Sequence, residues 1–479
     1  MTDIGMKIYR LTLAWPSLTA LLLATTSASA SGISVARFGG EHGHPTTRNA
    51  TALYYNPAGI ALSEGFHVFV DGTLAFRQAS YTHAIQPAQT GTLTDDGSVP
   101  GANDGRADLF NIIASPMIGV TAKFGDFAAG AAFYTPFGGQ SAWDKNDKFE
   151  NDPTRPGPYD GQQRYYNISG HIRSSFITAG LAYHLKDAGL AFGLTGNLIL
   201  SSTNTLRAKT TAGSNTLSPR SEGRALLDVT GTDFSMGAGV IWEALKEQLW
   251  LGASYQSRPN FTGMNAQTGT QKTYLGGEAT VGAEFYTDLP DVYRLGATYK
   301  IDPETELRLF GDYTRWSVLD AHHVVNTDLS DKGVDECEAN RNPGDPPGQG
   351  CLLAQKREWT DTFGVRVGAS RWLNKETELF AGAGYSSNAI PDKYLEPALT
   401  DFNSVSLSLG GRLEVVKNFN VALSYTHLFY LTRDTDGKSD HDLVRAPSPG
   451  PNTVENGPDT GGVYKQMIGV VNANVDVQF

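Results

Sequence analysis

Tyr464-Lys465-Gln466-Met467-Ile468-Gly469-Val470-Val471-Asn472-Ala473-Asn474-Val475-Asp476-Val477-Gln478-Phe479 decides the fold class. In an extended chain Met467, Val471, Ala473, Val475, Val477 and Phe479 share one face, and Gln466, Asn472, Asn474, Asp476 and Gln478 share the other. A period of two with an apolar row on one side and amides and acids on the other is the pattern of a strand between lipid and a wet lumen. The edge of a soluble sheet alternates as well. The aromatic last residue, and an export signal at the opposite end of the chain, favour the membrane strand.

That signal is expected over residues 1–30. Lys7 and Arg10 precede an apolar stretch from Leu11 to Ala24, and Ala28-Ser29-Ala30 offers the small residues a signal peptidase needs. The stretch is short and broken by Pro16, and no later segment has eighteen uninterrupted apolar residues. If the chain crosses a membrane it therefore does so as strands. The 53 Gly, 20 Tyr and 22 Phe beside only 18% charged residues suit tight turns and aromatic girdles. A formal net charge of −12 gives no support for nucleic-acid binding. The two cysteines, Cys337 and Cys351, lie in one polar segment. In an oxidising periplasm they are expected to form a local disulfide, restricting a loop of about 15 residues by roughly 3 kcal/mol. No His or Cys stands at metal-site spacing from them.

Alternating runs are joined by two kinds of connection that take turns. Short turns fall at 124–126, 186–189, 301–303, 374–376 and 417–420; long polar stretches fall at 82–107, 137–163, 207–222, 263–273, 322–358, 389–401 and 435–463. Such asymmetry describes periplasmic and extracellular rims. The runs themselves are 65–81, 108–124, 126–136, 164–186, 189–206, 223–243, 247–262, 274–300, 304–321, 359–372, 376–388, 402–415, 418–434 and 464–479, about fourteen strands. Val405, Leu407, Leu409, Leu413 and Val415 are expected outside against Ser404, Ser406, Ser408, Arg412 and Glu414 inside. Phe363, Val365, Val367 and Ala369 likewise oppose Arg366 and Gly368. Pro290 interrupts the 274–300 run, which is read as one strand with a local bulge because Val281, Ala283, Phe285, Leu289, Tyr293, Leu295, Ala297 and Tyr299 stay in phase. The expected fold is all-β, a transmembrane antiparallel β-barrel over 65–479. Residues 31–64 are small and aperiodic, and a barrel of this size encloses an open lumen unless something fills it. They are expected to be an N-terminal hatch, a plug folded back inside.

Asn49-Ala50-Thr51-Ala52-Leu53-Tyr54-Tyr55-Asn56-Pro57-Ala58-Gly59-Ile60-Ala61 resembles the hatch signature of the FadL/TodX family of outer-membrane hydrophobic-compound transporters. Phe133-Tyr134-Thr135-Pro136-Phe137-Gly138-Gly139, Asp288-Leu289-Pro290 before Leu295-Gly296-Ala297-Thr298-Tyr299, Gly384 to Pro391 and terminal Phe479 are further echoes, in order along the whole chain. The resemblance implies a 14-stranded barrel with a hatch that carries long-chain fatty acids or aromatic hydrocarbons inward. It makes Asn56, Pro57 and Ala58 the hatch step and Gly138 the glycine at a kink in the third strand that opens the wall. Pro136, lacking an N–H, with Gly138 and Gly139 would form that lateral opening. The chain departs from the family near Pro391, where Ser386 and Ser387 stand in place of an acid facing the kink.

Phe137, Trp143, Phe149 and Tyr159 in the second long stretch are candidates for the cargo's first extracellular contact; the alternative is that they are interfacial girdle aromatics. His42 and His44 resemble a metal pair, but solvated hatch histidines are the simpler reading, so no metal and no cofactor are expected. There is no Gly-x-Ser-x-Gly and no His-Glu-x-x-His, and Glu284, Arg294, Glu306, Arg308, Asp312 and Arg366 are read as charges solvating the lumen. The expectation is a passive, non-enzymatic transporter in the outer membrane of a Gram-negative bacterium, with a general porin and a barrel enzyme or adhesin as alternatives. Its expected partners are a long-chain fatty acid or other hydrophobic small molecule, outer-membrane lipid and lipopolysaccharide, and the barrel assembly machinery. It is expected to be a monomer and not to bind nucleic acid.

Overall fold

The computed structural model describes residues 37–83, 101–152, 157–210, 222–274, 277–329, 350–439 and 460–479. The expected export signal and Cys337 lie outside the described residues; Cys351 is disulfide-bonded. Fourteen strands form one closed antiparallel barrel. β1 is Phe66–His83, β2 Gly105–Phe124, β3 Phe127–Ala142, β4 Ser169–Leu185, β5 Leu190–Thr210 and β6 Glu222–Leu245. The next four strands each come in two pieces: Leu249–Gln256 with Gln267–Tyr274, Glu278–Tyr286 with Val292–Asp302, Thr305–Thr314 with Ala321–Asn326, and Cys351–Lys356 with Thr362–Trp372. Thr377–Ser386, Ser404–Val416, Phe419–Tyr430 and Val463–Gln478 complete the wall.

Closure is made by β1 against the last strand, in unbroken register from His67↔Gln478 to Thr82↔Val463. The alternation expected of that strand holds. Met467 is exposed while Gln466 and Asn472 are buried. Leu407, Leu409 and Leu413 face outward and Ser404, Ser406 and Ser408 inward. Leu181, Leu295 and Phe234 are likewise exposed, as a lipid-facing band requires. No helix among the described residues is long and apolar enough to cross a membrane.

Three expected boundaries need correction. Residues 267–273, 322–326 and 351–356, placed in long loops from the sequence, belong to strands that prolong the wall. Pro290 produces more than a bulge: residues 287–291 leave the ladder, and the strand turns over across them. Tyr293 and Leu295 are exposed as expected, whereas Ala283 and Phe285 are buried with Leu227 and Val324. Glu284, expected in the lumen, therefore lies on the opposite face. The interruption is shared by four neighbouring strands, whose lower pieces stop on one row, Gln256, Val292, Thr314 and Thr362. The segments between the pieces carry Leu289, Trp316, Leu319 and Trp359 into the buried core.

The segment from Arg37 to Gly65 contains no strand, only a 3-10 helix at Gly40–His42, the helix α1 at Ala52–Tyr55 and a second 3-10 helix at Pro57–Leu62. Asn56 joins them and is fully buried. Its Nδ2 donates to the carbonyls of Pro45 at 2.8 Å, Val240 at 3.0 Å and Ala253 at 3.3 Å, and its Oδ1 accepts the N–H of Ala58 at 3.2 Å. The wall opposite is glycine because nothing larger fits. A Cβ on Gly239 would lie 2.0 Å from Asn56 Oδ1, on Gly193 2.3 Å from the Ala58 nitrogen, and on Gly252 2.3 Å from the Pro45 oxygen. Much of the glycine that composition alone assigns to turns thus lets a plug touch the barrel wall. On the other side the contact is polar. Gly39 N–H donates to Asp71 at 2.8 Å, Ser408 to Glu41, and His42 Nε2 meets Glu378 at 2.9 Å.

Candidate functional site: a side gap and two cavities

The third strand does not end at Pro136. It continues to Ala142, so Phe137 to Ala142 belong to the wall and not to the expected loop. What ends is its pairing with β2. That ladder runs from Phe124↔Phe127 to Met117↔Tyr134 and stops, although β2 goes on pairing with β1 as far as His83↔Gly105. On its other side β3 keeps β4 through a register shift between Tyr134 and Phe137. One extra residue at Thr135-Pro136 is a bulge, and bulges bend the strand that carries them. Accordingly Thr135, Pro136, Phe137 and Gly138 are buried in succession, without the alternation of a wall strand.

The gap has defined lips. Below, Ser115 Oγ donates to the Thr135 carbonyl at 3.1 Å. Above, the Asn111 amide clasps Ala142, accepting its N–H at 3.1 Å, and Asp144 N–H reaches the Asp108 carbonyl at 2.9 Å. Pro116 on β2 stands one residue from Ser115, as Pro136 stands one residue from Thr135. Two adjacent strands therefore each have a residue without an N–H at the height where their ladder fails. Pro136, Gly138 and Gly139, expected at a lateral opening, lie on the stretch of β3 that no longer pairs with β2. Pro116 and Asn111 were missed. A proline inside an otherwise clean alternation was the available signal for the first.

Two cavities lie behind the gap. The inner one, about 130 Å³, lies against residues 37–65, lined by Phe137, Trp316 and Phe402 and by Arg37, Arg294 and Arg366, with Asp312 its one carboxylate. Arg294 lies 4.5 Å over the Tyr54 ring and Arg366 4.0 Å over Phe310. Ser386 and Ser387 line it too. The outer one, about 80 Å³, is bounded by Gly139, Gln140, Arg77, Leu227, Phe285 and Leu399 among others. Between them Phe137 meets Trp316 edge to face at 6.1 Å, and Trp316 meets Trp359 at 5.0 Å.

The four aromatics expected to greet the cargo separate. Phe137 is a lumenal wall residue and Trp143 is buried in the same apolar cluster. Phe149 is buried in a short 3-10 turn, so neither it nor Trp143 is an exposed collector. Tyr159 is half-buried, its carbonyl accepting Asn146 N–H at 2.8 Å. His42 and His44 do not act as a pair: His42 faces Glu378, and His44 Nδ1 meets Thr46 at 2.8 Å. Burial pulls both imidazoles below their ordinary pKa, His44 the further, with the charge of Arg308 adding to the effect on each. Among the described residues no cluster of metal-ligating side chains occurs.

A closed barrel with a segment folded inside it, a lumen of mixed aromatic and charged lining and an interrupted ladder in its wall defines a transport barrel of the outer membrane. The profile of the family described as "Outer membrane protein transport protein (OMPP1/FadL/TodX)" matches residues 14–446, and the chain belongs to that family. No curated protein matches the chain by sequence. Among solved structures, a FadL homologue of Pseudomonas aeruginosa superposes with a TM-score of 0.72 at 15% identity, covering 95% of this chain and all of that one (100%). The toluene transporter TodX of Pseudomonas putida gives 0.61 at 14%, covering 94% and 98%. The toluene transporter TbuX of Ralstonia pickettii gives 0.58 at 13%, covering 90% and 94%.

Proposed function

We propose that this protein carries hydrophobic compounds, long-chain fatty acids or similar amphiphiles, passively across the outer membrane and releases them sideways between β2 and β3. The observation that carries this reading is the failure of the β2–β3 ladder beside a lumen walled by aromatic side chains. Burying one CH₂ is worth about 0.8 kcal/mol, so a tail of about fourteen methylenes favours an apolar site over water by roughly 11 kcal/mol. Release straight down into the periplasm would forfeit that. A gap in the wall lets the tail pass from lumen to lipid without meeting water. A polar-solute porin needs the open lumen that residues 37–65 fill. Three guanidinium groups around one carboxylate in the inner cavity favour an acid-headed cargo over a bare hydrocarbon. In this reading residues 31–64 are the hatch, Asn56, Pro57 and Ala58 its docking step, and Cys337 the disulfide partner of Cys351. The barrel acts as a monomer, inserted by the barrel assembly machinery into a membrane of lipid and lipopolysaccharide.

The test is a Pro116→Val, Pro136→Val double variant, which returns an N–H to each lip. Uptake of a radiolabelled long-chain acid by cells with no other route should slow, while heat-modifiability shows a folded barrel. Uptake at the wild-type rate in such a barrel refutes the lateral route. Mass spectrometry of what the wild-type protein retains from a lipid extract should return acid-headed amphiphiles.

A further inference from the structure

We propose that Arg77 is a head-group receptor in the outer cavity, a buried guanidinium beside the gap that holds the acid end of the cargo before the tail leaves. The inference rests on the reading of the protein as a carrier of hydrophobic compounds and adds a second, separate anion site to it.

Arg77 points inward from β1 and is 4% exposed. Its three hydrogen bonds go to neutral acceptors on three other parts of the molecule: Gln466 Oε1 on the last strand at 2.8 Å, the Gln140 carbonyl on the displaced part of β3 at 3.1 Å, and Thr400 Oγ1 in the segment before the twelfth strand at 2.7 Å. Among the described residues no carboxylate pairs with it; Tyr430 acts on it electrostatically, and its cavity is shared by His171, Arg207, His322 and Arg357. This is unlike the other deeply buried arginines of the outer half. Arg164 has Glu222 at 2.5 Å and Arg357 has Glu396 at 2.8 Å. Glu396 is the one carboxylate lining the outer cavity, and Arg357 already holds it. A buried charge without a counter-charge is costly, and an anion arriving in the cavity relieves that cost.

The geometry also says which end of an amphiphile it takes. A guanidinium has five N–H donors in a planar fork, and the three bonds leave two of them for a carboxylate oxygen. Ile172, Leu227, Phe285, Val324, Leu353 and Leu399 line the same cavity and offer a tail an apolar wall. The Gln140 carbonyl that Arg77 holds belongs to the stretch of β3 that has left β2. The acid is thus held at the inner edge of the opening through which the tail would pass.

The experiment compares equilibrium binding of hexadecanoic acid and hexadecan-1-ol, two probes alike in tail and unlike in charge, to the purified full-length barrel at pH 8. The wild-type protein should prefer the acid. Arg77→Met should lower the acid-to-alcohol affinity ratio by about tenfold while leaving the alcohol bound, and Arg77→Lys, which keeps the charge, should retain most of the preference. A ratio unchanged in Arg77→Met overturns the proposal. Equal loss of both probes in a heat-modifiable Arg77→Met barrel also overturns it, since that assigns the residue a bracing role only. Failure of the wild-type barrel to bind either probe would instead strike at the carrier reading itself.

Discussion

Replacing Asn56 with Ala should loosen the plug without unfolding the barrel. The side chain uses two amide N–H groups on the carbonyls of Pro45, Val240 and Ala253 and one oxygen on the Ala58 N–H. Only the bonds to Val240 and Ala253 join the segment to the wall, and at about 1 kcal/mol net each they come to about 2 kcal/mol. At about 1.4 kcal/mol per decade, the ratio of docked to undocked hatch should fall by about thirtyfold. Asn56→Asp should do more, because its carboxylate would face buried carbonyls with no donor between them. Planar bilayer recording is the assay. The wild type should stay closed, Asn56→Ala should show ion-conducting bursts, and Asn56→Asp should show longer ones, approaching a variant lacking residues 37–64. Closed-state lifetimes equal to the wild type in a heat-modifiable Asn56→Asp barrel would mean that Asn56 does not hold the hatch.

Gly239→Ala places a methyl 2.0 Å from Asn56 Oδ1 and should produce the same bursts from the wall side, whereas Gly196→Ala, with open space around its Cβ, should leave recordings unchanged. Acid should open the plug as well. Burial holds His44 well below 6.5, so its contribution to docking is complete above pH 6.5 and is lost as pH falls through the folded-state value; burst frequency should rise below pH 6.5 and be blunted in His44→Gln. Cysteine placed at Asp436, in the segment before the last strand, should label on intact cells, and cysteine at Lys375, in a short turn, should not. The reverse pattern would invert the topology.

The wall was legible wherever a strand separates lipid from a polar interior, as the Ser404 to Val415 run shows. It was misread where the interior is itself apolar. Ala283 and Phe285 look lipid-facing because they alternate with Glu284, but they are buried in one apolar cluster, Phe285 also lining the outer cavity, in a piece of strand whose faces are exchanged. Alternation alone cannot say which face is which when both neighbours are dry. Gly138 was expected at an opening, whereas the β2–β3 ladder stops at the height where Pro116 and Pro136 lie in neighbouring strands, a relation set by register. Arg77 gave no local sign at all. Its isolation from acids depends on β1, β3, Gln466 and Thr400 meeting in space.

The glycines under the 3-10 helix bear on how the protein is put together. Gly193, Gly239 and Gly252 lie on β5, β6 and the strand after it, and a Cβ on Gly180 of β4 would lie 2.5 Å from the Leu53 side chain. All belong to the first half of the wall, whereas the seam that shuts the cylinder joins β1 to the last strand. A half-built, still open sheet already offers the plug most of its seat, so the plug need not be threaded through a finished ring. Contacts between segments near in sequence also form at smaller entropic cost than those between the chain's ends. Assembly in that order leaves the final strand to close around a lumen that is already filled.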